Sequence, residues 1–186
     1  MLTHLRPALS LTLLFTLLTG LAYPLAMTGA AQALFPSAAN GSLIERDGTV
    51  IGSALIAQGF AGAGYLQPRA SASGWNAAGT GASNLGPTSA TLIAQVAERR
   101  AAFEGLNGSP APIDAVTASA SGLDPHVSPE NAFAQADRIA AARKADPAAV
   151  RAVIEAAVEP PLLGLYGLPV VNVLQTNLAL DAALAP

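Results

Sequence analysis

ALSLTLLFTLLTGLAYPLAMTGAAQALF, from Ala8 to Phe35, carries no charged side chain, and its reading decides how the rest of the chain is placed. A helix rises ~1.5 Å per residue and about 20 apolar residues cross ~30 Å of hydrocarbon, so this run predicts one transmembrane helix, even if tilted. His4 and Arg6 precede it, and Glu45, Arg46 and Asp47 follow it. An excess of basic over acidic groups marks the cytoplasmic flank, which puts the amino terminus inside and everything after Asn40 outside. The expected division is residues 1–7 as a short cytoplasmic N-terminus, 8–35 as the transmembrane helix, and 36–186 as one mixed α/β extracytoplasmic domain.

Gly20 and Pro24 interrupt the span, and both are tolerated in membranes. Pro24 removes a backbone donor, and Tyr23 and Thr28 are placed to meet the freed carbonyls or an adjacent helix. Thr16, Thr19, Gly20 and Ala30 are small enough to let another helix approach closely. The rival reading is a cleaved secretory signal on a secreted or anchored periplasmic binding protein, with Ala31-Gln32-Ala33 as a small-x-small cleavage site; a single arginine before the run and the run's length count against it.

The chain has 186 residues, and taking ~40 for the anchor leaves roughly 145, one ordinary domain. Its net charge of −3 and 11% charged residues contain no Lys/Arg cluster, which excludes a nucleic-acid surface. Zero cysteines exclude disulfides, thiolate chemistry and Cys-type zinc sites. His4 and His126 fall on opposite sides of the membrane in this topology, so no metal site is expected.

After Asn40, SLIER and TVIGSALIA are β-prone runs joined by Asp47-Gly48, a two-residue hairpin turn. From 59 to 87 the chain turns to Gly, Ala, Ser, Asn and Pro, a long loop of the kind that carries contacts. Apolar spacing predicts a helix over Ser89–Glu104 ended by Gly105. A second helix is predicted from Ser128 as N-cap with Pro129 and Glu130 following, and a third from Asp146-Pro147, with Val150, Val153, Ile154, Ala157 and Val158 on one face until Pro160-Pro161. Pro169–Leu174 reads as a strand, followed by a terminal helix, and the NGSPAP turn offers Ser109 as an exposed position.

Three constellations carry possible chemistry. GFAGAG (Gly59–Gly64) and GTGAS (Gly79–Ser83) lack the lysine of a phosphate-binding loop and read as turns. Ser119, Ser121, Asp124 and His126 hold the residue types of an acyl-transfer triad, but no nucleophile elbow surrounds either serine. The simpler reading is a polar turn in which Asp124 and Ser128 cap backbone groups and His126 is an ordinary turn residue. No catalytic residue is therefore assigned. Tyr65, Arg69 and Trp75 form either a partner contact or a satellite core under the loop. The partner-contact candidates are Gly20, Tyr23 and Pro24 on the helix, and Tyr65, Arg69, Trp75 and Asn84 in the loop.

LRPALSLTLLFTLLTGLAYPL, NGSLI followed by GSALIAQGF, GASNLGPTS, VTASASGLDPHVSP with its AxxQxxRIAxAR helix, and GLPVVNVLQTNLALD occur in an order and spacing that closely resemble the C subunit of Kdp-type potassium-transporting ATPases. The resemblance covers nearly the whole chain. YLQPRASA departs from the family's YFxxRPSA, with Leu66 for an aromatic and Ala70 for a proline. What the resemblance implies is an accessory, non-catalytic subunit of an ATP-driven, high-affinity potassium importer in the bacterial inner membrane. The implied partners are a channel-like potassium-translocating subunit, a phosphorylated P-type ATPase subunit, a small membrane peptide and membrane lipid. It also implies a role in assembly and as a chaperone raising the ATPase subunit's affinity for ATP. ATP and potassium are handled by the complex, and no motif here binds a cofactor directly.

Overall fold

Leu5–Leu34 form one continuous 30-residue helix, long and apolar enough to cross a membrane. The computed structural model describes residues 2–184 and separates into two units, Met1–Val50 and Ile51–Pro186, each taken here by itself. The long helix consists of α1 (Leu5–Leu17), a five-residue π segment (Leu18–Ala22) and α2 (Tyr23–Leu34). Pro24 causes the widening: its ring crowds the carbonyl four residues back, and a wide turn just before it relieves that clash. Tyr23 N–H accordingly reaches Leu18 O. Thr19 Oγ1 donates to Phe15 O, one turn back, at 2.6 Å. The chain itself buries no residue of α1 or α2.

The helix ends at Phe35, whose φ of −138° and ψ of 58° turn the chain into the short α3 (Pro36–Ala39). Across that bend the Gln32 and Asn40 amides exchange two hydrogen bonds of 3.1 Å each. Ala31-Gln32-Ala33 thus lies within helix α2. β1 (Leu43–Arg46) and β2 (Thr49–Ser53) follow as a hairpin. Asp47 and Gly48 take φ of 52° and 75°, the left-handed pair that a two-residue turn of this twist needs. β2 stops earlier than the run TVIGSALIA suggests, because Ser53 Oγ accepts from Leu55 N–H and turns the chain.

No further helix or named strand forms until α4 (Ala90–Asn107). Ser89 caps that helix, its side chain accepting from Leu92 N–H. Gly105 does not end it. Gly108 does, at φ 66°, where its N–H meets Glu104 O at 2.8 Å. After α5 (Ile113–Val116) comes β3 (His126–Val127), so His126 is a strand residue paired with Asn172 rather than a turn residue. Ser109 is half-buried and donates to Ala134 O at 2.9 Å, which removes it from the exposed positions. The second predicted helix is two, α6 (Pro129–Ala134) and α7 (Ala136–Arg143), and α8 (Pro147–Ala156) begins at its Asp146 cap.

Val158 leaves the predicted helical face for β4 (Val158–Glu159), where it pairs with Val171. The reason lies ahead of it: a residue preceding proline is driven to extended backbone, and Pro160-Pro161 impose this on Glu159 and Pro160. β5 (Val170–Asn172) lies between β3 and β4 in an antiparallel three-stranded sheet, and α9 (Val173–Ala183) runs on from it. The core joins this sheet to the helices through Val127, Ala136, Ile139, Val150, Ile154, Val171 and Leu180. Leu66, from the long loop, is fully buried in the same cluster.

Candidate functional site

The loop from Gly59 to Pro87 lacks regular structure, yet its first part is held as firmly as a strand. Asn177 accepts Leu66 N–H at 2.7 Å and donates to Leu66 O at 3.0 Å. Gln135 does the same for the next residue, accepting Gln67 N–H at 2.8 Å and donating to Gln67 O at 3.2 Å. Both amides are buried and so act as surrogate ladder partners. Arg138 donates to Ala63 O and Tyr65 O, and Arg143 Nε donates to Gly64 O at 2.7 Å. Every carbonyl from Ala63 to Gln67 therefore has a buried side-chain donor from α6–α9 or the residue joining α6 to α7. Burial pushes the Arg138 guanidinium below its ordinary pKa, since the charged form is costly away from water. Bonds to Asn107 and Gln135 complete its fork.

This clamp delivers Arg69 to the polar turn. Arg69 Nη1 meets Asp124 Oδ2 at 2.9 Å, and Nη2 reaches Thr117 Oγ1 at 3.4 Å and Ala118 O at 3.5 Å. Arg69 Nε is buried without a hydrogen-bond partner among the described residues. Trp75 Nε1 donates to Arg69 O at 3.3 Å, and the indole lies against Gly59, where a Cβ would stand 3.1 Å from the ring. Arg69, Asp124, Ser119, Ser121, Leu55 and Ile56 border an open cleft of about 470 Å³.

The two serines of this turn hold backbone. Ser119 Oγ accepts from Gly122 N–H at 3.0 Å and Asp124 N–H at 3.3 Å; Ser121 Oγ accepts from Leu123 N–H at 3.0 Å. Asp124 Oδ1 accepts His126 N–H at 3.0 Å, with His126 Nδ1 at 3.7 Å from the same oxygen. Ser119 Oγ lies 3.1 Å from Ser121 Oγ, and neither hydroxyl is hydrogen-bonded to the His126 imidazole. Ser128 Oγ accepts Asn131 N–H at 3.1 Å and donates to Asp114 Oδ1 at 2.9 Å.

The structure brings together Arg69, Trp75 and Asp124 from the sequence candidates. Tyr65 points elsewhere, its ring 5.8 Å from that of Phe60 and under the Arg143 guanidinium at 5.0 Å. Asn84 is exposed at φ 53° further along the loop. Gly20, Tyr23 and Pro24 belong to the other unit, on the helix. Sequence reasoning missed Gln135, Arg138, Arg143 and Asn177. Polar residues interrupting the apolar stripes of otherwise buried helices were the available signal.

The pattern of the family described as "K+-transporting ATPase, c chain" matches residues 5–182. The chain belongs to the KdpC family. A Potassium-transporting ATPase KdpC subunit of Cereibacter sphaeroides is 70% identical over 183 residues, spanning 98% of this chain and 99% of that one. KdpC subunits of Rhodospirillum rubrum and Caulobacter vibrioides are 55% and 54% identical, with 97% and 100% of this chain covered and 96% of each relative. For a KdpC chain, the geometry above is an organised surface: a loop fixed by buried side chains, with the half-buried Arg69–Asp124 pair at the border of the open cleft.

Proposed function

We propose that this chain is the accessory, non-catalytic subunit of a potassium-transporting P-type ATPase complex of the bacterial inner membrane, where it serves assembly and raises the ATP affinity of the ATP-hydrolysing subunit. The membrane helix is single-pass with a cytoplasmic amino terminus, and the domain from residue 36 onward faces the periplasm. Its partners are the channel-like potassium-translocating subunit, the phosphorylated ATPase subunit and a small membrane peptide, within membrane lipid. The observation that carries this reading is the immobilised loop. Its polar groups are engaged in fixing backbone, as suits a preorganised contact surface that loses little entropy on binding.

ATP is bound and hydrolysed by the partner, on the other side of the membrane from this domain. The effect on ATP affinity therefore travels through conformation: the chain binds one state of the pump better than another, and about 1–3 kcal/mol of such preference changes affinity roughly 5- to 150-fold. The test is to purify the complex through a tag on the ATPase subunit, with this chain present, absent or carrying Arg69→Ala. Expected is a lower yield of intact complex without the chain, and with Arg69→Ala a KM for ATP raised several-fold at similar kcat. Equal yield and equal KM without the chain would overturn the proposal.

A further inference from the structure

Between β4 and β5 the chain reads PPLLGLYGLP, from Pro160 to Pro169. Leu162, Leu163, Leu165, Tyr166 and Leu168 are 71, 81, 81, 68 and 80% exposed. These side chains do not wave on a loose tether. Leu162 N–H bonds Tyr166 O and Tyr166 N–H bonds Leu162 O, each at 3.0 Å, and Gly164 N–H meets Pro161 O at 2.9 Å. Leu163, Gly164 and Gly167 take φ of 55°, 70° and 92°. A leucine in left-handed backbone is disfavoured by roughly 1–2 kcal/mol, so conformational strain is spent on holding an apolar tip away from the domain. Glu159, just before the hairpin, also borders an alanine-rich groove of about 570 Å³ between α8 and α9.

Apolar projections of this kind are covered either by lipid or by protein. Charge decides between them. No charged residue occurs from Pro160 to Leu180, and the residues just before the hairpin include Glu155 and Glu159, both exposed. Arg151, on the same helix as Glu155, is paired with Asp137 at 2.9 Å. Membrane-surface segments combine apolar side chains with Lys and Arg that attract anionic headgroups, and acidic flanks oppose that attraction. A rigid, uncharged tip with an acidic base fits a preformed protein surface instead.

We propose that the Pro160–Pro169 hairpin is a docking element that inserts its leucines into an uncharged, apolar concavity on another subunit of the complex. This inference rests on the assembly reading above and adds the surface that executes it. The first experiment uses full-length chain coexpressed with the other subunits and purified through the tagged ATPase subunit. Leu165→Asp with Leu168→Asp is expected to lower recovery of this chain at least tenfold, with an unchanged circular-dichroism melt of the detergent-solubilised chain. The second uses the absence of native cysteine. In the Leu165→Cys variant the thiol is expected to react with a maleimide at least tenfold more slowly in the complex than in the isolated chain. Wild-type recovery of the double variant together with equal thiol reactivity overturns the hairpin proposal alone. If the double variant keeps its subunits, and the Leu165→Cys thiol of the isolated chain is shielded from maleimide once its helix is reconstituted into phosphatidylethanolamine–phosphatidylglycerol vesicles, lipid is the occupant and the proposal also falls. A wild-type chain that fails to copurify removes the assembly reading itself.

Discussion

At Gly122 the backbone sits at φ 72°, and a Cβ there would lie 2.7 Å from Gly81 O and 2.4 Å from Ser73 Oγ. Left-handed strain and overpacking together make Gly122→Ala a loss of roughly 2–4 kcal/mol, measurable by denaturant titration of the solubilised chain. Ser128→Ala is a milder case. It removes the cap of α6 and should lower stability by about 1 kcal/mol while potassium uptake continues. Uptake abolished at normal stability would instead assign Ser128 a chemical role. Asn177→Ala leaves the buried Leu66 N–H and C=O without their partner, and an unmet buried group costs about 1–3 kcal/mol, so its denaturation midpoint should fall further than that of Ser128→Ala. Ser128 was legible in the sequence, because Ser-Pro-Glu before an apolar stripe has a local meaning. Asn177 was not, since its partner lies 111 positions away and no periodicity joins them.

Elements whose causes are local were likewise readable. The Asp47-Gly48 turn, the Ser128 and Asp146 caps and the long apolar helix follow from neighbours within four residues, and all occur in the structure. The ends of α4 and α8 were misplaced because two glycines three residues apart offer the same local stop, of which Gly108 takes the left-handed cap, and because Pro160-Pro161 act further back than their own positions, freeing Val158 to pair with Val171 of β5. Loop 59–87 was legible as a loop and illegible as a core contributor, since a single leucine among glycines and serines has no pattern. The membrane helix yields a separable test. A Cβ on Gly20 meets nothing within 4 Å, so the side chain of Gly20→Leu starts into open space. Reduced copurification after that substitution, with the domain's melting unchanged, would place Gly20 at a helix–helix contact; full recovery would remove it from the contact set.

For the whole molecule, topology is the property on which the proposed transmembrane route of coupling depends. Glu98 is exposed on α4, and the chain has no cysteine, so Glu98→Cys should be labelled in intact cells by a thiol reagent that passes the outer but not the inner membrane. Labelling only after inner-membrane lysis would reverse the orientation and allow direct contact with nucleotide. The side-chain clamp on residues 63–67 has a further consequence, in the order of biosynthesis. Its holders Gln135, Arg138, Arg143 and Asn177 follow their partners by 68 to 111 positions. At about 5–20 residues per second, a ribosome needs roughly 5–20 s after Leu66 to supply Asn177. During that interval the segment that is made early is the segment that folds late, open to proteases while its holders are still being made. A chain stopped before Asn177 should be cut within 59–87 by a protease dose that spares the full-length chain.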